Sequence, residues 1–247
     1  MSGPSATSGT LLLVRTELSR LRRNKRYFLF TIALPVILYL IIAKQGSSAY
    51  GVTFPAYYMV AMASFGAFSG ALNGNAIRIS EERKVGWIRQ LRLTPLPANA
   101  YVIAKLGVSL ATTGPAVVIV LLLGRFYGNV HLPAWQWIVV AVIIWFGSLL
   151  FAALAVALGF RFQPDQVQPV AMIIYFTFTI LGGIWFPLGG ALQKIGEFTP
   201  TYQSIKISTD IIGNLSVSVG LVAGLVAWLV LFAALALLAV RATAETV

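Results

Sequence analysis

The sequence predicts an all-α integral membrane protein of six transmembrane helices, with both termini on the cytoplasmic side. Three observations predict it. Hydrophobic residues make up 58% of the 247 and charged residues only 10%, with a mean hydropathy of +0.85. A soluble domain carries about 25% charged residues, so this chain cannot coat a water-facing surface and its solvent is lipid. Apolar runs recur six times, at lengths close to the roughly 20 residues that cross a hydrocarbon core. The basic residues are clustered beside those runs: six of the 18 Lys and Arg fall between Arg15 and Arg26, and five between Arg78 and Arg92.

Taken in order, residues 1–9 are small and polar and read as a disordered tail. They show no basic start, apolar core and cleavage site of a signal peptide. Residues 10–26 read as an amphipathic helix on the inner membrane surface. Leu11, Val14, Leu18 and Leu21 share one face, with Arg15, Arg20, Arg22, Arg23 and Arg26 spread over the rest. Six spans follow, at Tyr27–Ala43, Phe54–Ile77, Ala100–Leu123, Ala134–Leu158, Pro169–Phe186 and Leu215–Val240. Tyr27, Tyr57, Tyr58, Tyr101, Trp135, Trp137 and Trp185 near their ends suit interfacial belts. Pro35 and Pro115 are expected to kink spans one and three. Between spans five and six, residues 187–214 are too long for a structureless loop. Two short helices are expected there, at 188–196 and 200–212, dipping into the outer leaflet.

Orientation follows from charge. With the N-terminus inside, fourteen of the 18 basic residues lie in cytoplasmic segments; only Lys44, Arg125, Lys194 and Lys206 lie outside. The positive-inside rule then places both termini in the cytoplasm. The net charge of +11 is therefore topological, and without an aromatic-interleaved basic groove no nucleic-acid partner is expected. No internal repeat supports an inverted-repeat secondary transporter.

Several chemistries are excluded. There is no cysteine, hence no disulfide, thiol nucleophile or cysteine metal site. The seven acids, Glu17, Glu81, Glu82, Asp165, Glu197, Asp210 and Glu245, all fall outside the six spans, whereas ion-coupled transport normally needs ionisable groups within them. The lone His131 sits in a loop and reads as a solvated side chain. No HExxH pair and no GxxxxGK[ST] phosphate loop occur, so neither a metal nor ATP is held by these motifs. Energy for any pumping must come from a second polypeptide.

Residues 79–97 form a charged cassette between two apolar runs. Ser80 is placed to cap a helix whose first turn carries Glu81 and Glu82 at the positive dipole end. Val85, Trp87, Ile88 and Leu91 share a broad arc, Arg83, Arg89 and Gln90 oppose it, and Pro95 ends it. Lys105, one turn into span three, is expected to snorkel to the headgroups. An ordinary positive-inside loop would not need the two glutamates. An amphipathic element with Trp and acids is what a docking surface for a cytoplasmic partner would need.

The stretch "SEERKVGWIRQLRLTPLPANAYVIAKL" resembles the signature segment of ABC-2 type permeases, the membrane subunits of bacterial ATP-binding cassette exporters. Glu82-Arg83, Gly86, Leu91, Thr94-Pro95 and Lys105 carry the likeness, and Trp87 stands where that family commonly has Thr. Gly182-Gly183 and Phe186-Pro187 resemble the family's end of span five. The resemblance implies a multi-pass protein of a bacterial plasma membrane that pairs with a second permease chain as a homodimer. Two copies of a cytoplasmic ATPase would carry the ATP and Mg, leaving this chain without a cofactor of its own. Coupling would fall to Glu81, Glu82, Arg83, Gly86, Trp87, Leu91 and Pro95, with the interfacial helix (Arg15, Arg22, Arg23) beside them. The function implied is outward transport of an amphiphilic or lipophilic cargo such as a drug, antibiotic, lipid or glycolipid. A non-transporting membrane scaffold and the membrane subunit of an importer are the competing readings; a scaffold needs no coupling helix.

Spans two and five hold the candidate pathway residues. Asn73 and Asn75 are amides that serve either cargo contact or hydrogen bonding between helices. Phe65, Phe68, Tyr175, Phe176 and Phe178 serve either as pathway wall or as packing. An aromatic, uncharged wall suits an amphiphile better than an ion.

Overall fold

The structure, a computed structural model, describes residues 29–46, 48–87, 90 and 100–245. The tail of residues 1–9, the interfacial helix with Arg15, Arg22 and Arg23, and Leu91 and Pro95 of the cassette lie outside the described residues.

Eight α-helices are present among the described residues. A π-helical turn, Leu29–Ala33, leads into α1 (Leu34–Ile42). Pro35 is the second residue of α1; it has no N–H for the regular ladder, and its place in the first turn is where a helix tolerates that loss. A two-residue hairpin comes next, β1 (Ser48–Ala49) against β2 (Val52–Thr53). Tyr50 and Gly51 at its tip have φ of 50° and 82°, the doubly left-handed geometry of a type I′ turn. The sequence reading assigned no structure to this hairpin.

The bundle is built around α2 (Phe54–Lys84), which packs against α1, the hairpin and α3 (Ala100–Phe126). It also packs against α4 (Ala134–Arg161), α5 (Pro164–Leu181) and α7 (Pro200–Ile212). Its small residues let neighbours come close, as in membrane helix packing generally. A Cβ on Gly66 would stand 2.9 Å from the Thr31 carbonyl and 3.1 Å from Pro35, so α1 lies directly on the glycine. At the other end a Cβ on Gly159 of α4 would meet Ile79 Cβ at 2.6 Å. Phe68 is buried and stacks on Phe151 of α4, ring centroids 4.6 Å apart.

α3, α4 and α8 (Val219–Glu245) are each long and apolar enough to cross a membrane, over Tyr101–Phe126, Ala134–Arg161 and Val219–Ala242. The other expected spans differ from these. The described apolar stretch of the first is only Thr31–Ile42. α2 is long enough, but it continues past Ile77 into Glu81, Glu82, Arg83 and Lys84 and carries amides and hydroxyls throughout. α5 begins five residues before Pro169, because Pro164 takes the first turn and Gln163 forms a capping box with Gln166. It stops at Leu181, with Gly182 as cap and Gly183 at φ 76°. The segment before α8 holds α6 (Gly190–Gly196) and α7. α7 is buried despite being polar: Thr201, Ser204, Ser208, Thr209 and Asp210 all lie inside.

Candidate functional site

Two features could carry function: a buried charge knot at the end of the bundle where Arg83, Lys84, Lys105 and Arg161 gather, and an open cleft whose lining reaches that end at Arg78 and Glu81.

The knot corrects the sequence reading of the cassette. Ser80 does not cap a new helix. α2 runs unbroken through Ser80, Glu81 and Glu82, and the Ser80 hydroxyl donates to the Phe162 carbonyl at 2.8 Å. Glu82 is therefore in the last turn of α2, at the negative end of its dipole, where a lone carboxylate is disfavoured. Two donors on α3 offset this. Lys105 Nζ and Tyr101 Oη each reach one Glu82 oxygen at 2.6 Å. Lys105 is 2% exposed and Glu82 9%, so Lys105 does not snorkel to headgroups and Glu82 is not a free docking acid. Arg83 donates to the same Phe162 carbonyl at 2.7 Å, satisfying an oxygen that the end of α4 leaves without a helical partner. Tyr101 packs edge-on against Phe160, centroids 6.0 Å apart. The end of α2 is thus tied to α3 by an ion pair and to α4 by two hydrogen bonds.

Beyond the knot the chain turns. Val85 N–H donates to Glu81 O, and Gly86 N–H to Arg83 O. Gly86 adopts φ 75°, the left-handed residue that closes a helix. Gln90 N–H then donates back to Gly86 O at 3.1 Å. Of the coupling residues, Glu81, Glu82 and Arg83 therefore belong to α2, Gly86 is the joint, and Trp87 lies beyond it. Glu81, Lys84 and Val85 form an exposed tip, Val85 keeping 73% of its surface open.

The cleft has a volume of about 510 Å³ and opens between α1, α2 and α5. Phe65 and Asn73 of α2 and Tyr175 of α5 line it, as do Ser69, Arg78, Glu81, Gln168, Met172 and Phe176. Tyr175 Oη donates to the Phe65 carbonyl at 2.8 Å and sets the register of the two helices. Phe68 and Phe178 are not on its wall. Phe68 is packed on Phe151, and Phe178 sits among Phe151, Trp228 and Phe232. Phe68 falls off the wall because the stripe of α2 that continues from Phe65 carries Ser69. Asn75 also turns away, donating to the Ala71 carbonyl of its own helix at 2.9 Å.

The remaining candidates resolve simply. His131 Nδ1 lies 2.8 Å from the Asn129 carbonyl in an exposed loop. Among the described residues no cluster of His, Asp and Glu could hold a metal ion. At the hairpin end, tyrosines pin the turn that follows α5. Tyr57 donates to the Gly183 carbonyl, and Tyr58 to Trp185 O at 3.3 Å. Tyr50 receives the Leu188 N–H at 2.7 Å. Burial pushes the Tyr50 hydroxyl above its usual range.

Residues 43–241 of the chain match the family described as ABC-2 family transporter protein. A Bacillus subtilis (strain 168) protein, given by name as a transport permease (YvfS), is 25% identical over 192 residues. The match covers 76% of this chain and 78% of that one.

Proposed function

The chain belongs to the ABC-2 family of transporter proteins, and from that premise we propose that it is the permease subunit of an ATP-driven exporter of amphiphilic cargo. In this reading it spans the membrane six times with both termini inside, and two copies pair as a homodimer. Each copy rests on one of two cytoplasmic ATPase subunits, which hold ATP and Mg; the chain itself supplies no catalysis. The family generally works with such an ATPase.

The observation that carries the coupling is that an exposed tip, followed by the Gly86 joint, shares the last turn of α2 with the buried knot. A partner pushing on Glu81, Lys84, Val85 or the residues beyond Gly86 moves the last turn of α2. That turn cannot move alone. The Glu82 pair with Lys105 takes α3 with it, and the Ser80 and Arg83 bonds to Phe162 take α4. α2 is also one wall of the cleft, so a push at the tip changes cargo access directly. An importer would use the same linkage. Export of an amphiphile is favoured by a cleft with an aromatic, uncharged wall that reaches the basic end at Arg78 and Glu81. The positive-inside rule puts that end, with Arg78, Arg83, Lys84, Lys105 and Arg161, in the cytoplasm.

The orientation has a direct check. With no native cysteine, single cysteines report without background. Asn129→Cys and Asn214→Cys are expected to react with an impermeant thiol reagent in intact cells, and Lys84→Cys only after the membrane is opened. Labelling of Lys84→Cys from outside overturns the topology. The functional reading is tested by reconstituting the chain with the ATPase that co-purifies with it. Hydrolysis is expected to rise several-fold over the ATPase alone, whereas a rate indifferent to the chain contradicts the reading.

A further inference from the structure

The cleft between α1, α2 and α5 is graded along its length. Phe65, Ser69, Asn73 and Ile77 recur at four-residue intervals, so they form one stripe on α2. From Phe65 to Glu81 that stripe covers about 24 Å of helix. At the hairpin-facing end the wall is aromatic: Phe65, Tyr175 and Phe176, with Trp185 closing over them. Trp185 lies 5.4 Å from Phe65 and stacks on Phe176 at 6.2 Å, centroid to centroid. Met172 continues the apolar wall. The middle is made of uncharged polar groups, Ser69, Asn73 and Gln168. The basic end adds one charge of each sign, Arg78 and Glu81.

Asn73 in the middle is incompletely satisfied. Its Nδ2 reaches Ser69 Oγ only at 3.5 Å. Its buried Oδ1 has no hydrogen-bond partner among the described residues. A buried amide oxygen without a donor is costly, and a ligand hydroxyl recovers that cost once rotation of the Asn73 side chain turns the oxygen to the cleft. The lining charges cancel, so the described wall offers no excess of cations to hold a phosphate, sulfate or carboxylate head.

We propose that this cleft takes an uncharged amphiphile whose head donates hydrogen bonds through hydroxyl groups to Asn73, with its chain laid along Met172, Phe65, Tyr175 and Phe176. The assignment rests on the transport reading for its purpose, because such a molecule is the cargo, but binding itself requires no ATPase. Ser69 and Gln168 present further donors and acceptors for a head with more than one hydroxyl. The aromatic end, closed by Trp185, stops the chain from passing toward the hairpin side until α2 and α5 part.

The experiment uses the full chain in phosphatidylcholine vesicles and three photoactivatable probes with hydrocarbon chains of the same length. They are a monoacylglycerol, a fatty acid and an alkyl trimethylammonium. The monoacylglycerol is expected to label Met172, Phe176 or Phe65 and to be competed by its unlabelled form. It should half-saturate at about three- to tenfold lower concentration than the trimethylammonium, which has no donor. Asn73→Leu is expected to abolish that preference by raising the monoacylglycerol concentration needed for half-saturation, and Asn73→Gln, which keeps the amide, to retain part of it. Equal labelling by all three probes, preference for the fatty acid, or an Asn73→Leu variant with intact preference overturns the proposal. A selectively labelled cleft in a chain that moves nothing with ATP would refute the transport reading and leave the site standing. ATP-driven movement without selective labelling would do the reverse.

Discussion

Glu82→Ala is expected to cost the folded protein about 3–5 kcal/mol, the usual loss when one partner of a buried ion pair is removed. The reason is what remains. Lys105 is 2% exposed, and Glu82→Ala takes away the carboxylate that its ammonium bonds at 2.6 Å; the Tyr101 hydroxyl loses the same acceptor. Lys105→Met is expected to be equally damaging, since it strands the carboxylate in the last turn of α2. The double variant Glu82→Leu/Lys105→Met behaves differently. Replacing a whole buried pair with apolar side chains is often neutral or stabilising, so thermal unfolding in detergent should return close to the wild-type midpoint. Transport should not return with it, because the tie between the α2 tip and α3 is then only packing. A Glu82→Ala protein as stable and as active as wild type would mean that the pair is incidental.

Gly159→Leu is the second large effect. α2 and α4 touch at this glycine: a Cβ there would stand 2.6 Å from Ile79 Cβ, 2.7 Å from Ile79 Cγ2 and 3.0 Å from the Ala76 carbonyl. Backbone and a β-branched side chain cannot swing away, so the two helices must separate. Overpacking of a filled core costs about 1–3 kcal/mol, occasionally more. The strain falls next to Ser80 and Phe160, so the Ser80 bond to Phe162 is expected to break as well. The variant should show reduced membrane abundance and a lower unfolding temperature. Gly220→Ala is the control: the nearest atom to its added Cβ is Ser218 Oγ at 3.5 Å, and no loss is expected. Equal behaviour of the two variants would contradict the close α2–α4 contact.

The parts of the fold that rest on local chemistry were legible from the sequence. The apolar runs of α3, α4 and α8 needed only length and composition. The paired helices before α8 were expected at 188–196 and 200–212 and stand at Gly190–Gly196 and Pro200–Ile212, because Gly189-Gly190 and Thr199-Pro200 mark their starts. The misreadings arose where tertiary context overrode a local signal. Ser80 with two following glutamates has the composition of a helix start, but the Phe162 carbonyl takes its hydroxyl and Lys105 takes Glu82. Placing a helix break at Ser80 set Glu82 and Lys105 on unrelated elements at different depths. Only the continuity of α2 brings them level. Opposite charges flanking a turn between two antiparallel helices were the available signal. Phe68 and Phe178 could not be told from Phe65 and Tyr175 by residue type, since which face of α2 meets α4 is decided by packing across the bundle. Asn73 and Asn75 divide in the same way, one on the cleft and one on its own helix.

Vesicle transport tests the central claim most directly. The chain and its co-purified ATPase are placed in sealed proteoliposomes, with a fluorescent monoacylglycerol as cargo, and ATP is supplied on the side of the ATPase. The account predicts movement of the probe away from that side, dependent on ATP and on both polypeptides, and lost in Glu82→Leu/Lys105→Met at normal abundance. Movement driven by a proton gradient with the chain alone, or undiminished transport by the double variant, would contradict it.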